Sequence, residues 1–329
     1  MTFIDQFKGK KIVIVGDLVA DQFLHGTINR VSREAPVFIL RHDNTETRPG
    51  GAANAAANIA SLGGIPIVIG VTGDDSNGRL LREAMEMAGV SCDLAFEIDQ
   101  PQTAKLRVLA GQHYAAKQQV IRIDYESSGN YPENVRRKMI DDLRSAGQDA
   151  EAIVISDYNY GVVTHELADE AKKIARARNI PLIVDSRYRL SDFAGATSAT
   201  PNQDEVEQLL GPGFSEKDCI GLLQELELES LLVTRGNEGM LLIEKNKEPL
   251  SIDPIGSRVP VDVTGAGDTV IAVYSLALAA GLSFADAAGV ANHAGGIVVM
   301  KKGTAAVTSA ELLISLESRT ENLDTAAAF

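Results

Sequence analysis

The stretch Val261-Asp262-Val263-Thr264-Gly265-Ala266-Gly267-Asp268-Thr269 is a polar, glycine-rich turn that runs straight into Val270-Ile271-Ala272-Val273-Tyr274-Ser275-Leu276-Ala277-Leu278-Ala279-Ala280. A helix over the second segment has almost no polar face, so it has to be buried on nearly every side. Gly281 supplies its C-terminal stop. The amides of the first turn then need partners where water is scarce. Gly265, Ala266 and Gly267 let an anion approach that backbone closely, and the positive end of the helix dipole favours negative charge there. Asp268 stands in the same turn, where a carboxylate can serve as a base. A phosphate cradle beside a base points to phosphoryl transfer.

A buried helix needs layers around it, and the rest of the chain supplies them. Lys11-Ile12-Val13-Ile14-Val15-Gly16 is an apolar run of strand length, and similar runs occur at 65–70, 152–156, 181–185 and 230–234, with a hairpin over 239–244. Such runs fit strands buried on both faces. Helical spacing lies between them: 76–89, with Leu80, Leu81, Ala84, Met85 and Ala88 on one side, then 132–146, 164–178 and 283–300. Ser309 is the expected cap of a last helix. Gly50-Gly51 opens an alanine-rich helix carrying Asn54, which Gly63-Gly64 closes. The alternation predicts an α/β fold, a mostly parallel sheet with helices on both faces. Residues 17–48 and 93–124 differ in character. Extended runs at 35–41, 94–98, 103–110 and 120–124, with a polar turn at 45–49, predict antiparallel strands of a small lid sheet over the carboxyl edge of the main one. The apolar faces of strands 35–41 and 103–110 would be left uncovered, so pairing of lids in a homodimer is expected. Residues 318–329 are expected to fray.

The composition narrows the function classes. The chain has 329 residues, 45% of them hydrophobic and 23% charged, an ordinary balance for a globular protein. Its net charge of −14 excludes a general nucleic-acid binder and means that an anionic substrate needs a local cluster of cations. Cys92 and Cys219 lack metal-type spacing and read as free thiols of a reducing compartment. The N-terminus shows no signal-peptide pattern, and the run 270–280 is too short to span a bilayer. A cytoplasmic protein with no nucleic-acid or membrane partner is expected. The histidines at 25, 42, 113, 165 and 293 form no metal pattern. There is no P-loop, no Gly-x-Ser-x-Gly elbow, and no third glycine of a dinucleotide turn, because position 270 is Val. Five polar clusters fall at the carboxyl ends of predicted strands: Asp17 with Asp21, Ser156-Asp157-Tyr158, Asp185-Ser186-Arg187, Thr200-Pro201-Asn202 with Glu205, and Thr234-Arg235-Gly236. Ligands bind at that edge of open α/β sheets, so all five are expected to face the Gly265 turn.

With these residues in view, Asp262-x-Thr264-Gly265-Ala266-Gly267-Asp268-Thr269 resembles the signature of the ribokinase-like (phosphofructokinase-B type) carbohydrate kinases. Gly50-Gly51-Ala52-Ala53-Asn54 resembles their sugar-side glycine motif. The likeness covers the whole chain. It implies a ribokinase-like three-layer αβα sandwich with a small β-sheet lid, residues 1–329 forming one kinase domain, and ATP and Mg²⁺ as cofactors. By this resemblance Asp268 is the base, and the amides of Gly265, Ala266, Gly267 and Asp268 form the anion hole. Asp21, Gly50, Gly51, Asn54, Lys105, Arg107, Asp185 and Arg187 hold the sugar phosphate. Asn202 and Glu205 position the Mg²⁺-bound triphosphate, with Glu205 acting on the metal indirectly. Thr234, Gly236, Gly239 and Asn292 surround the nucleotide. Asp262 and Thr264, with carbonyls near Gly303, resemble the monovalent-cation (K⁺) site of some members.

Within the family the chain is most similar to the heptose-7-phosphate kinases, through Arg48-Pro49-Gly50-Gly51-Ala52-Ala53-Asn54, Lys105-Leu106-Arg107-Val108, Ser156-Asp157-Tyr158 and Leu232-Val233-Thr234-Arg235. That implies phosphorylation of D-glycero-β-D-manno-heptose 7-phosphate to the 1,7-bisphosphate. The alternatives are a kinase for another sugar, sugar phosphate or nucleoside, and a non-catalytic sugar-binding relative. Intact Asp268, Gly265, Gly267, Asn202 and Glu205 count against the last. Two positions depart from the pattern: Tyr160 stands where those kinases have Lys, and Asp185-Ser186-Arg187 replaces Asp-Pro-Lys. Arg and Lys are not equivalent donors, so the departures bear on the substrate more than on the chemistry. Two-domain relatives add an adenylyltransferase. No His-x-Gly-His motif occurs here, and a kinase alone is expected.

Overall fold

A parallel sheet covered on both faces needs apolar residues at successive strand positions, and the apolar runs supply them. In Lys11–Gly16 (β1), Ile12 and Ile14 pack into one core while Val13 and Val15 pack into another on the opposite side of the sheet. The computed structural model describes residues 3–112, 114, 117–257 and 259–326; His113 and residues 327–329 lie outside them.

After β1 come Leu18–Val31 (β2), Phe38–Gly51 (β3), Ala52–Ser61 (α1), Ile65–Gly73 (β4), Ser76–Met87 (α2), Ala95–Ile98 (β5), Ala104–Gly111 (β6), Gln118–Tyr125 (β7) and Glu133–Ala146 (α3). Then follow Ala152–Asp157 (β8), His165–Arg178 (α4), Leu182–Ser186 (β9), Ser198–Ala199 (β10), Gln203–Leu210 (α5), Glu216–Glu225 (α6) and Ser230–Thr234 (β11). Met240–Glu244 (β12), Leu250–Ile252 (β13), Ala266–Ala279 (α7), Phe284–Val298 (α8) and Ser309–Ala326 (α9) complete the order.

Among the described residues these strands make a nine-stranded sheet, in the order β13-β12-β11-β10-β9-β8-β1-β4-β5, and a four-stranded sheet, in the order β3-β2-β6-β7. From β5 to β11 the large sheet is parallel; β12 and β13 join it antiparallel. Helices α1, α2, α7 and α8 contribute to one core, and α3, α4 and α6 to the other. This is the three-layer arrangement. Helix α7 is buried from Asp268 through Ala277, as its lack of a polar face requires.

The lid differs from expectation in four ways. Residues 45–49 are not a turn: β3 runs unbroken from Phe38 to Gly51, pairing Leu18–Val31 along its length apart from two register shifts. The four residues of β5 leave the lid and pair in parallel with β4 at the edge of the large sheet. Inside the lid β2 and β6 are parallel, because the chain crosses through the large sheet between them. Finally, β6 is an interior strand with Val108 and Ala110 buried. Exposed apolar side chains of the lid include Val31, Val37 and Phe38 at the β2–β3 end and Val120, Ile121, Ile123 and Tyr125 on edge strand β7.

Smaller differences concern helices. Leu80 of α2 is exposed while Leu81 and Met85 are buried. Helix α9 is capped one residue earlier than expected. Thr308 Oγ1 accepts from Glu311 N, while the Glu311 carboxylate accepts from Thr308 N in a reciprocal box. The helix is assigned to Ala326, and residues 327–329 of the expected frayed end lie outside the described residues. No helix among the described residues is long and apolar enough to cross a membrane.

Candidate active site

The first turn of α7 opens the site. Gly265 adopts φ +79°, and a Cβ on it would lie 2.5 Å from Asn54 Nδ2, so the turn and α1 are brought together at a place where only glycine fits. Ala266 N donates to Val263 O. The N–H groups of Gly265, Gly267 and Asp268 have no acceptor among the described residues, as is usual for orphan donors at a helix start. Three of the four expected anion-hole amides are therefore uncommitted at the wall of the cavity, and that of Ala266 is not.

Asp268 is held from both sides. Asn54 Nδ2 donates to Oδ2 at 2.9 Å, and Tyr158 Oη donates to Oδ1 at 2.7 Å. Asn54 in turn is steadied by Asn58, whose amide donates to its carbonyl oxygens. Burial pushes the Asp268 carboxyl up to about 6; the Asn54 and Tyr158 hydrogen bonds pull against that rise, Asp21 adds to it, and Lys105 opposes it. A carboxylate titrating there is ionised at neutral pH and only weakly solvated, which suits a general base.

Two cavities meet at Ala266 and Gly267. One, of about 420 Å³, is polar: Asp21, Lys105, Arg107, Asp185, Arg187, Asn202 and Glu205 line it with Asp268. The other, of about 180 Å³, is apolar, walled by Met240, Pro254, Ile255, Val263, Val270 and Val299, with Gly236, Gly239 and Asn292 at its margin. Thr234, Val263, Ala266 and Gly267 belong to both. The geometry places a flat apolar group and a charged polar one on opposite sides of the same helix N-terminus.

The polar cavity concentrates cations in a chain of net charge −14. Arg107 is committed to Asp21 at 2.6 Å. Lys105, 7% exposed, lies over the rings of Tyr158 and Tyr160, 5.0 and 5.8 Å from their centroids. It has no carboxylate within ion-pair distance among the described residues, and burial, then the Arg187 charge, lowers its pKa. Arg187 also lies over Tyr158, at 5.3 Å. A buried ammonium without a counter-ion is a place for an anion. Asp185 is pushed well above the usual carboxylate range by burial and then by the neighbouring Glu205 and Asp268 charges. Glu205 is raised by burial, against the hydrogen bond it accepts from Asn202 N. Asn202 and Glu205 form the capping box of α5, each side chain accepting from the other's backbone.

Of the residues singled out in the sequence, Gly51 lines the polar cavity and Gly50 does not. Gly50 stands behind Asp21, whose carboxylate a Cβ there would meet at 2.5 Å. Asn54 lies outside both cavities, behind Asp268. Asp262 is also outside. Its oxygens accept from Thr264 N and Gly303 N, tying the turn before α7 to the loop after α8. Each of the five edge clusters sends a member to the cavity that the Gly265 turn lines, through Asp21, Tyr158, Asp185 with Arg187, Thr200 with Asn202 and Glu205, and Thr234, though not every residue of a cluster is aimed there. Asp17 accepts from the N–H groups of Tyr158, Tyr160 and Val162, and the carboxylate of Asp157 is committed to Arg189 and Ser186. Both shape the loop after β8.

Four side chains were given no role of their own by the sequence reading, although Tyr158, Thr200 and Arg48 stand in the motifs quoted there. Tyr158 was visible only as a neighbour of Asp157. Arg122 lines the polar cavity because it is paired with Arg107 across β6 and β7, a register no local pattern discloses. Thr200 offers a buried hydroxyl with no partner among the described residues. Arg48 reaches from the lid to the carbonyls of Lys302 and Thr304, both at 2.9 Å.

Comparison with known proteins agrees with this geometry. The profile of the pfkB family carbohydrate kinases matches residues 10–311. The chain is 41% identical over 318 residues to a protein of Hahella chejuensis named "Bifunctional protein HldE", covering 94% of this chain and 64% of that one. It is 37% identical over 328 residues to the Proteus mirabilis protein of the same name, covering 97% of this chain and 66% of that one. The chain thus spans a little under two thirds of the length of these relatives. Among solved structures, the fold resembles Arabidopsis thaliana ribokinase complexed with ribose and ATP, with a TM-score of 0.72, 20% identity and coverage of 94% and 99% of the two chains. It also resembles phosphofructokinase-2 from Escherichia coli in complex with potassium, with a TM-score of 0.74, 19% identity and coverage of 93% and 97%. By its sequence and its fold together, this chain belongs to the pfkB family of carbohydrate kinases, which are phosphotransferases.

Proposed function

We propose that this chain transfers the γ-phosphoryl group of ATP to a sugar phosphate, D-glycero-β-D-manno-heptose 7-phosphate, and yields the 1,7-bisphosphate. The observation that carries the reading is the position of Asp268, in the polar cavity next to Gly267, where that cavity meets the apolar one, with cations that include an ammonium lacking a counter-ion among the described residues. The likeness to the two-part relatives named HldE supports the choice of sugar.

Asp268 takes the proton from the sugar hydroxyl, a contribution of ~10²–10⁴ in rate. The Gly267 and Asp268 N–H groups receive the charge of the phosphoryl group in transit, each contributing about 3 kcal/mol. Lys105, Arg107 and Arg187 hold the phosphate already on the sugar, with Asp21, Gly51 and Asp185 around its hydroxyls. Asn54 acts by holding the base, and Gly50 by leaving room for Asp21. Thr234, Gly236, Gly239 and Asn292 border the nucleotide, and the apolar wall takes its base. Glu205, behind the Asn202 turn, and the partnerless Thr200 hydroxyl are oxygen donors that fit Mg²⁺. Bound there, the ion would neutralise charge on the β- and γ-phosphates. The residues fit a monovalent cation less well. Both Asp262 oxygens accept N–H groups, and the carbonyls of Lys302 and Thr304 accept from Arg48, so no step is assigned to K⁺. The exposed apolar residues of β7 and the β2–β3 end support a homodimer through the lid; a monomeric mass by light scattering at working concentration would exclude it.

The deciding experiment is a phosphorylation assay with ATP against heptose 7-phosphate, ribose, fructose and fructose 6-phosphate. The heptose phosphate is expected to lead in kcat/KM by 100-fold or more. Preference for an unphosphorylated sugar rejects the proposed substrate, and no turnover of any sugar rejects the kinase reading in favour of a binding protein.

A further inference from the structure

Tyr158 touches both ends of the polar cavity. Its hydroxyl donates to Asp268 Oδ1 at 2.7 Å, and its ring carries Lys105 at 5.0 Å and Arg187 at 5.3 Å. Its own backbone is fixed from behind, because Tyr158 N donates to Asp17 Oδ2 at 2.8 Å. One rigid side chain therefore spans the distance from the base to the two cations. We propose that Tyr158 is a positioning residue for the transfer: its hydroxyl orients the base while its ring sets the cations that hold the substrate's existing phosphate, so both ends of the substrate are registered on one side chain. The inference rests on the sugar-phosphate reading above for its second half only. The contact with Asp268 is independent of which sugar is bound.

The chemistry follows from the carboxylate's geometry. Tyr158 and Asn54 each occupy one lone pair on a different oxygen of Asp268, which fixes the plane of the carboxylate and leaves one direction on each oxygen for an incoming hydroxyl. Remote binding energy from the phosphate is then delivered to a base already aimed, the arrangement in which such energy raises kcat rather than lowering KM alone. Asp268 also faces charges from other elements: Asp21 on β2, Lys105 on β6 and Asp185 on β9. Removing the Tyr158 hydroxyl leaves those in place and removes one of the two donors that hold the carboxyl's pKa down.

Two substitutions separate the hydroxyl from the ring. Tyr158→Phe keeps the platform and is expected to lower kcat 10- to 100-fold, with KM for the sugar phosphate within about threefold and the acid limb of the kcat/KM profile moved to higher pH. Tyr158→Leu is expected to add a rise of tenfold or more in KM for the sugar phosphate. A readout without substrate accompanies them: ¹³C titration of the aspartate carboxyls, with Asp268→Asn to identify the resonance, should show Asp268 titrating at higher pH in Tyr158→Phe than in the unaltered protein. An unmoved Asp268 titration, or a lower kcat with an unmoved acid limb, overturns the proposal, since a structural role would produce the latter. If the unaltered protein phosphorylates no sugar, the proposed function fails while the carboxyl titration still decides the role of Tyr158.

Discussion

Asp17 and Asp268 lie at neighbouring places on the carboxyl edge of the large sheet, at 2% and 3% exposure, and burial raises each carboxyl to about 6. Their surroundings differ. Asp17 accepts from the backbone N–H groups of Tyr158, Tyr160 and Val162 and adjoins only a cavity of about 10 Å³. Asp268 is held by two side chains, Asn54 and Tyr158, and opens on the cavity of about 420 Å³. A raised pKa thus marks both groups and distinguishes neither. What separates a fastener from a reactive group is access, together with whether its hydrogen bonds come from a backbone that folding fixes or from side chains that leave room for a ligand.

The largest effect expected on this comparison is at Asp268. Asp268→Asn should lower kcat by ~10²–10⁴ while leaving ATP binding, read by calorimetry, nearly intact. Turnover above a tenth of the original rate would remove Asp268 as the base. The corresponding change on the other side, Asp17→Ala, strands three N–H groups, that of Val162 buried and those of Tyr158 and Tyr160 partly buried. It should cost about 2–3 kcal/mol of stability in denaturant unfolding, at about 1–3 kcal/mol for a buried group left unpaired and less for the two that water reaches. A loss under 1 kcal/mol would mean that the loop after β8 does not depend on that carboxylate.

Gly267 and Gly265 sharpen the contrast within one turn. A Cβ on Gly267 meets nothing within 4 Å. Gly267→Ala should therefore leave stability unchanged or raise it by up to ~1 kcal/mol, since Ala is the better helix residue. Turnover should nevertheless fall tenfold or more, because the added methyl stands where the cavities meet. Gly265→Ala should lose both stability and activity, by strain at φ +79° and by displacement of Asn54. If both variants behave alike, the turn is structural throughout.

The most gradual effect is the dependence on pH. Both carboxyls titrate near 6 in the folded protein, above their ordinary value of 3.8. Between those values the folded state holds more protons than the unfolded one, so the two groups favour folding below about pH 4 and that contribution is lost as pH rises through 6. Asp268→Asn should accordingly gain on the unaltered protein between pH 4 and 7, by on the order of 3 kcal/mol at most. Thermal unfolding across that range would show it, and a constant difference would contradict it. Activity should rise with pH through about 6 as the base ionises.

How much was legible follows from where the information sits. In β1, β4 and β8 nearly every position is buried, Lys11, Ile65 and Ile67 excepted, so composition alone marks the strand and parallel pairing follows from the intervening helices. The lid was misread for the opposite reason. Residues 38–51 are polar on both faces over much of their length, so nothing local fixes whether they turn or extend. A four-residue strand such as β5 carries no register at all, and the edge of β4 recruits it. The same limit explains the site. Gly265, Gly267 and Asp268 are contiguous and visible together, whereas Arg122 reaches the cavity only through its pairing with Arg107.

The sequence by itself determined the layered α/β fold, the buried helix α7, the turn that opens it and the acid within that turn. Each of these is a local pattern whose physical meaning does not depend on distant residues. Only the tertiary structure decided that Asn54 and Tyr158 hold that acid from elements 214 and 110 positions away. It likewise decided that Asp17 fastens a loop and that Lys105 is buried over two tyrosine rings with no counter-ion among the described residues. Those facts depend on which strands are neighbours, and strand order is set by long-range packing that no window of sequence contains.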